Sequence, residues 1–263
     1  MKQPIFELKN VNKSFGPVDV LLDISLKVHE GEVLCLQGDN GAGKSTLIKT
    51  LSGVHKPTSG DILMDGPSVV FERPRDAVDR GIANVHQFGG TFPLMTIGRS
   101  FFVGMEPYKY IGPFKVFDRE KANAVAVEAV RQFGITRIDD ADRLIGGLSG
   151  GERQSLAIAR ALHFGARVLI LDEPNTALGV KEATHVLRVV LEAKKRGLAV
   201  IFIMHNVTHA MTVGDHLAVL IHGAKAADFR RGKKDPRADH RADGRRRSHG
   251  RTRSGNRFVQ AWA

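Results

Sequence analysis

Two stretches of this chain have the residue types and spacing to handle phosphate. Gly38-Asp39-Asn40-Gly41-Ala42-Gly43-Lys44-Ser45-Thr46 follows an apolar run, Val33 to Gln37, and precedes a helix-prone Leu47 to Leu51. Strand, glycine-rich turn, then Lys-Ser at the mouth of a helix is the arrangement that cradles the phosphates of a nucleotide. The glycines let backbone N–H groups approach a β-phosphate with no Cβ in the way, and a helix N-terminus favours anions. Lys44 is placed to reach β- and γ-phosphates, and the Ser45 hydroxyl to ligate Mg²⁺. Farther on, Val168-Leu169-Ile170-Leu171 runs into Asp172-Glu173-Pro174, an apolar strand ending in two carboxylates. Beside a phosphate loop, Asp172 would hold Mg²⁺ through water and Glu173 would polarise an attacking water; without such a loop the two acids would be turn residues.

The elements that must position these groups read as an α/β chain. Phe6 to Val11 and Leu21 to Val28 alternate as half-buried strands do, with Lys13 to Pro17 a loop presenting one aromatic, Phe15. A short strand at Asp61 to Met64, a short helix at Arg75 to Arg80 and a strand at Ile82 to His86 follow, the last running into Gln87. Residues 88 to about 162 have a different texture: Ile97 to Val103, Arg119 to Phe133 and Gly150 to Phe164 have helical spacing, without intervening strands. Strand and helix then alternate as Val168–Leu171, Lys181–Lys195, Leu198–Met204, Asn206–Val213 and His216–Ile221. Continuous apolar strands between helices imply a mainly parallel sheet covered on both faces, with the helical block inserted in it. No apolar run approaches the roughly 18 residues of a membrane span, and no signal-peptide region opens the chain, so a soluble, cytoplasmic protein is expected. The lone cysteine, Cys35, excludes an internal disulfide and a multi-cysteine zinc site, and reads as a small core residue.

Leu148-Ser149-Gly150-Gly151-Glu152-Arg153-Gln154 presents a second helix opening with a hydroxyl and free N–H groups, which on its own is an ordinary capped helix start. Together with the other motifs it resembles the signature of the ATP-binding cassette (ABC) ATPases, over residues 5 to about 222 in the expected order. The resemblance implies a P-loop NTPase with a RecA-like, mainly parallel sheet core, an N-terminal antiparallel β subdomain and an inserted α-helical subdomain. The cassette would occupy residues 1–223, its helical insertion about 88–162. It also implies that two cassettes pair head to tail, each ATP lying between one copy's phosphate loop (Gly38 to Thr46) and the other's Ser149, Gly150 and Gly151. Phe15 matches the aromatic that stacks on adenine. Gln87 matches the glutamine that senses Mg²⁺ and the γ-phosphate and faces the membrane partner. His205 matches the switch histidine at the γ-phosphate. Lys44, Gln87, Glu173 and His205 would carry hydrolysis of ATP, with Ser45, Gln87 and Asp172 around Mg²⁺. The implied partners are a second ATPase subunit, transmembrane permease subunits and, indirectly, a substrate-binding protein, on the inner face of the cell membrane. Phe88, Phe92, Met95, Ile97, Phe101 and Phe102 would contribute to the permease-facing surface.

Gly179 stands where most of the family has Asp, which puts coupling between the two sites in question, and Met204 where serine is common. The Ala177-Leu178-Gly179-Val180 run and His205-Asn206 resemble cassettes of bacterial monosaccharide importers, so import of a simple sugar is the leading expectation. The rivals are a cassette for another substrate or for export, a soluble cassette ATPase acting on nucleic acid, and a non-catalytic regulator. Glu173 and His205 argue against the last of these. Nucleic acid is not the expected partner: residues 224–263 carry +9 of the net charge of +11, so the body is nearly neutral. That basic tail, with no apolar periodicity from Arg230 to Asn256, has three competing readings. It is an arm for nucleic acid or anionic lipid, a solvated extension, or the product of a reading frame lost near Gly232. The other two frames of the gene discriminate, since the third reading requires one of them to encode an apolar-periodic helix.

Overall fold

The computed structural model of the chain describes residues 3–86, 92–132, 138–172, 180–204 and 207–231. Its first half runs β1 (Phe6–Phe15), β2 (Val18–Val28), β3 (Val33–Gly38), α1 (Lys44–Leu51), β4 (Ser59–Met64), β5 (Ser68–Val69), α2 (Pro74–Asp79) and β6 (Ile82–His86). Then come α3 (Ile97–Phe101), β7 (Tyr108–Ile111), β8 (Phe114–Phe117), α4 (Arg119–Arg131) and α5 (Gly150–His163). The last part is β9 (Val168–Asp172), α6 (Val180–Lys195), β10 (Ala199–Ile203), α7 (Val207–Val213), β11 (His216–Ile221) and β12 (Ala224–Arg230).

Ten strands form one sheet in the order β5-β4-β1-β2-β12-β11-β3-β10-β9-β6. From β11 to β6 the neighbours are parallel, whereas β1, β2, β4 and β5 pair antiparallel, the mixed architecture expected. The period of two along a strand divides the parallel core between two apolar layers. Leu34 and Leu36 of β3, Val168 and Ile170 of β9, and Ile201 and Ile203 of β10 pack with Leu47, Ile48 and Leu51 of α1. Val33, Cys35, Leu169, Leu171, Val200 and Phe202 face the other way, against α4 to α7. Each such side chain contributes about 1.5–3 kcal/mol by leaving water, so the sheet is clamped between helices on both faces. Cys35 is fully buried, and burial pushes its thiol up to about 12, which makes it inert.

Three features depart from the sequence expectation. The strand at Phe6 continues to Phe15 through register shifts, with Asn10 and Asp23 at positive φ (49° and 51°) and bonded side chain to side chain at 2.7 Å. Bulges of this kind break the alternation that marks a strand. The helical insertion contains a hairpin, β7–β8, in place of unbroken helix and loop. Residues 224–230 are strand β12, not the start of a tail. β12 pairs antiparallel with β11 and buries Phe229, and charge pairs add to that hold. His216 of β11, 2% exposed, has its two ring nitrogens against Asp228 of β12 and Glu32, the latter at 3.4 Å. Lys225 reaches Asp228 at 2.5 Å and Arg230 reaches Glu32 at 3.0 Å. The three readings of the remaining tail concern residues outside those described.

Candidate nucleotide site

β3 ends at Gly38, and the next five residues fold back over the strand end. A Cβ on Gly38 would stand 2.5 Å from the Leu220 carbonyl oxygen, so only glycine fits. Gly41 and Gly43 have φ of 81° and 97°, a region that costs other residues about 1–2 kcal/mol. Gly43 is the N-cap of α1: it has no side chain to accept the first N–H groups, and the first turn holds no acid. The positive end of the helix is therefore left open to an anion. Lys44 is buried, and its Nζ donates to the carbonyls of Gly38 (2.7 Å) and Asp39 (3.1 Å), which draws the ammonium under the arch. Asp39, Asn40 and Ser45 are exposed, Thr46 is half-buried, and Ala42 is buried against the sheet. Ala42 accepts the Gly223 N–H at 3.2 Å, and Gly223 accepts the Leu22 N–H at 2.8 Å, so the turn between β11 and β12 buttresses the loop.

Asp172 closes β9 in register with His86 of β6 and Ile203 of β10. Strand alternation puts it on the face that Val168 and Ile170 share with α1. β10 lies between β9 and β3, so this carboxylate is one strand removed from the strand that feeds the loop. Among the described residues no three His, Cys, Asp or Glu side chains cluster as a self-contained metal site. A serine hydroxyl and one carboxylate are hard oxygen donors, the set that suits Mg²⁺ when water and phosphate oxygens complete its shell.

Ser149 shows a different helix start. It is the exposed N-cap of α5, accepts the Glu152 N–H on its hydroxyl (3.3 Å) and donates its own N–H to the Glu152 carboxylate (2.8 Å). Gly151 is buried and Gly150 half-buried. Leu156, Ile158 and Ala159 of α5 belong to the apolar layer opposite the one that holds α1. The body of α5 thus packs on the sheet face opposite α1, the helix that the phosphate loop opens.

Phe15 is 43% exposed at the end of β1, with the His55 ring edge-on at 5.1 Å. Gln87, Glu173, His205, Phe88 and Gly179 lie outside the described residues; the strands leading towards the first three end side by side. Of the apolar residues expected on the permease-facing surface, Ile97, Phe101 and Phe102 are core, packed with α4 and α5. Helical spacing marks an apolar face without saying which layer it meets. Phe92 and Leu94 are exposed and Met95 is half-buried. Gln37, read from sequence as part of an apolar strand, is 1% exposed, and neither atom of its amide has a hydrogen-bond partner. A polar residue in an otherwise apolar strand one step before the loop was the signal available.

Comparison with known proteins agrees with this geometry. The ABC transporter family model matches residues 21–176. The xylose/arabinose import ATP-binding protein XylG of Sulfolobus acidocaldarius is 39% identical over 219 residues, covering 83% of this chain and 85% of that protein. Ribose import ATP-binding protein RbsA 1 of Streptomyces coelicolor is 41% identical over 84% of this chain, which spans only 43% of that longer relative. Among solved structures, a nucleotide-free ATP-binding cassette from an ABC transporter superposes with a TM-score of 0.77 at 25% identity, over 92% of this chain and 100% of the other.

Proposed function

This chain belongs to the ABC transporter family, and we propose that it binds and hydrolyses ATP as the motor subunit of an importer for a simple sugar. The observation that carries the nucleotide reading is the uncapped start of α1 with Lys44 drawn beneath it. Lys44 and the loop N–H groups would bind the β- and γ-phosphates, and Phe15 would stack on adenine. Glu173 would orient the attacking water, with His205 at the γ-phosphate. Mg²⁺, held by Ser45 and Asp172 and sensed by Gln87, would neutralise charge on the phosphate oxygens. Phosphoryl transfer to water needs little covalent help from the protein, so positioning and charge stabilisation by these side chains account for the rate.

The placement of α5 on the sheet face opposite α1 favours a site completed by a second copy, which supports a head-to-tail homodimer. Ser149 remains exposed for that contact, and its hydroxyl hydrogen is still free to be donated while the oxygen caps α5. Permease subunits would dock near Phe92 and Leu94, beside a groove of about 330 Å³ between β6 and the helical insertion, lined by Val103, Met105, Leu156 and Arg160. No helix among the described residues is long and apolar enough to cross a membrane, consistent with attachment at the inner membrane face through those permeases. A separate binding protein would deliver the sugar, and Gly179 would weaken communication between the paired sites.

The test is Glu173→Gln. ATP binding is expected to persist while turnover falls to background; hydrolysis at the normal rate by this variant would remove Glu173 from the mechanism.

A further inference from the structure

The base end of the site contains a group that the phosphate chemistry does not use. The Phe15 ring meets the His55 imidazole edge to face, with centroids 5.1 Å apart and planes at 77°. Lys13 Nζ sits over the Phe15 ring at 4.9 Å from its centroid. An ammonium and an imidazole thus both contact the phenyl.

His55 is tied to both ends of the nucleotide site. Its backbone N–H donates to the Lys49 carbonyl at 3.0 Å, so it extends from the end of the helix that begins at Lys44. Three residues on, the Thr58 N–H donates to the Asn12 carbonyl at 2.8 Å, and the Thr58 hydroxyl accepts the Ser14 N–H at 3.0 Å. The 55–58 loop is therefore stitched to α1 on one side and to the last residues of β1 on the other. Lys13 pairs with Leu21 across β1 and β2, and the Leu21 side chain is what a Cβ on Gly43 would meet at 3.0 Å. The aromatic corner and the phosphate loop abut through that residue.

We infer that His55 is a positioning residue for the base. It fixes the tilt of the Phe15 ring at the end of β1, so that the exposed ring is held in one orientation for a purine. This rests on the nucleotide reading above. Edge-to-face aromatic pairs prefer one orientation and lose a definite amount of energy when one ring is removed, so the effect falls on ligands that carry a base and not on phosphate alone.

The experiment is calorimetric titration of the full-length chain with Mg·ATP and with Mg·tripolyphosphate, which has the phosphates but no base. His55→Ala is expected to raise the Kd for ATP about fivefold and leave that for tripolyphosphate unchanged, and His55→Phe to return ATP to within about twofold of wild type. An unchanged ATP Kd in H55A, an equal loss for both ligands, or failure of H55F to rescue would each overturn the role. Equal loss would mean that His55 supports the fold or the loop. If the wild-type chain bound neither ligand, the nucleotide reading itself would fall, and this inference with it.

Discussion

The two ends of the parallel strands treat polar groups in opposite ways. At the C-terminal end of β3 lie the uncapped N–H groups of α1, an exposed Ser45 hydroxyl and the partnerless amide of Gln37. At the N-terminal end the charged groups are interlocked. Asp215 accepts the Val33 N–H at 2.9 Å and Lys194 at 2.5 Å, and Glu32 takes the His29 N–H at 2.7 Å while facing His216 and Arg230. Buried polar groups cost about 1–3 kcal/mol each when unpaired. At the open end a ligand can supply the missing partners; at the closed end Glu32 Oε1 and His216 Nδ1 also lack a hydrogen bond, and opposite charges at 3.0–3.4 Å stand in for it. Open parallel sheets place their ligand sites at the carboxyl ends of the strands.

The comparison can be broken first at the open end. Lys44→Ala removes the charge drawn under the arch and leaves the Gly38 and Asp39 carbonyls without their donor; ATP affinity measured by calorimetry should fall about a hundredfold. A loss under threefold would mean that the open end is not the phosphate site. At the closed end, His216→Gln leaves Asp228 and Glu32 facing a neutral amide and should cost about 2 kcal/mol in denaturant unfolding, with ATP affinity unchanged.

The closed end also predicts a pH signature. Burial alone would lower the His216 pKa, but Asp228 and Glu32 raise it above its ordinary value. Burial opposes ionisation of Asp228 and Glu32 too, yet both are lowered, Asp228 by His216 and Lys225, and Glu32 by His216, the His29 N–H and Arg230. A raised histidine stabilises fully below its unfolded pKa, about 6.5, and loses that as pH climbs through the folded value; the lowered acids stabilise above about pH 4 and lose it as pH falls through theirs. The stability difference between wild type and H216Q should therefore be greatest near pH 6 and shrink towards pH 9. A flat difference over that range would mean that His216 docks β12 as a neutral ring. The smallest effect is expected for Gln37→Leu, a gain of about 1 kcal/mol, seen as a rise of about 2–4 °C in Tm. No gain would mean that the amide is partnered and that the open end does not extend to Gln37.

Much of the open end was legible in the sequence because its chemistry is local. Gly38 to Ser45 is one contiguous loop whose glycines answer to backbone angles and close contacts, and Asp172 closes an apolar strand. The closed end was not legible: Glu32, His216, Asp228 and Arg230 meet only through pairing of β11 with β12, and no spacing along the chain announces it. Strand β12 was lost to a compositional argument, since Ala-Lys-Ala-Ala-Asp-Phe-Arg has little apolar alternation, and a backbone ladder, one buried ring and charge pairs hold it together. The β7–β8 hairpin was missed for another reason. Its side chains are almost all exposed, so neither face imposed a pattern. The burial of Ile97, Phe101 and Phe102 followed from packing against helices distant in sequence, which periodicity cannot specify.

The turn at Gly223 has a consequence for how the protein comes into being. Gly38 fits against Leu220, and Ala42 against Gly223, so the phosphate loop leans on residues made about 180 positions later. A nascent chain emerging from the ribosome would expose every residue of Gly38 to Thr46 long before the wall behind that loop existed. Contacts this distant form late, after slow closure of a long stretch of chain. Nucleotide competence should therefore arrive abruptly, once residue 223 is in place, and a chain released before it would hold the whole phosphate motif and bind nothing with it.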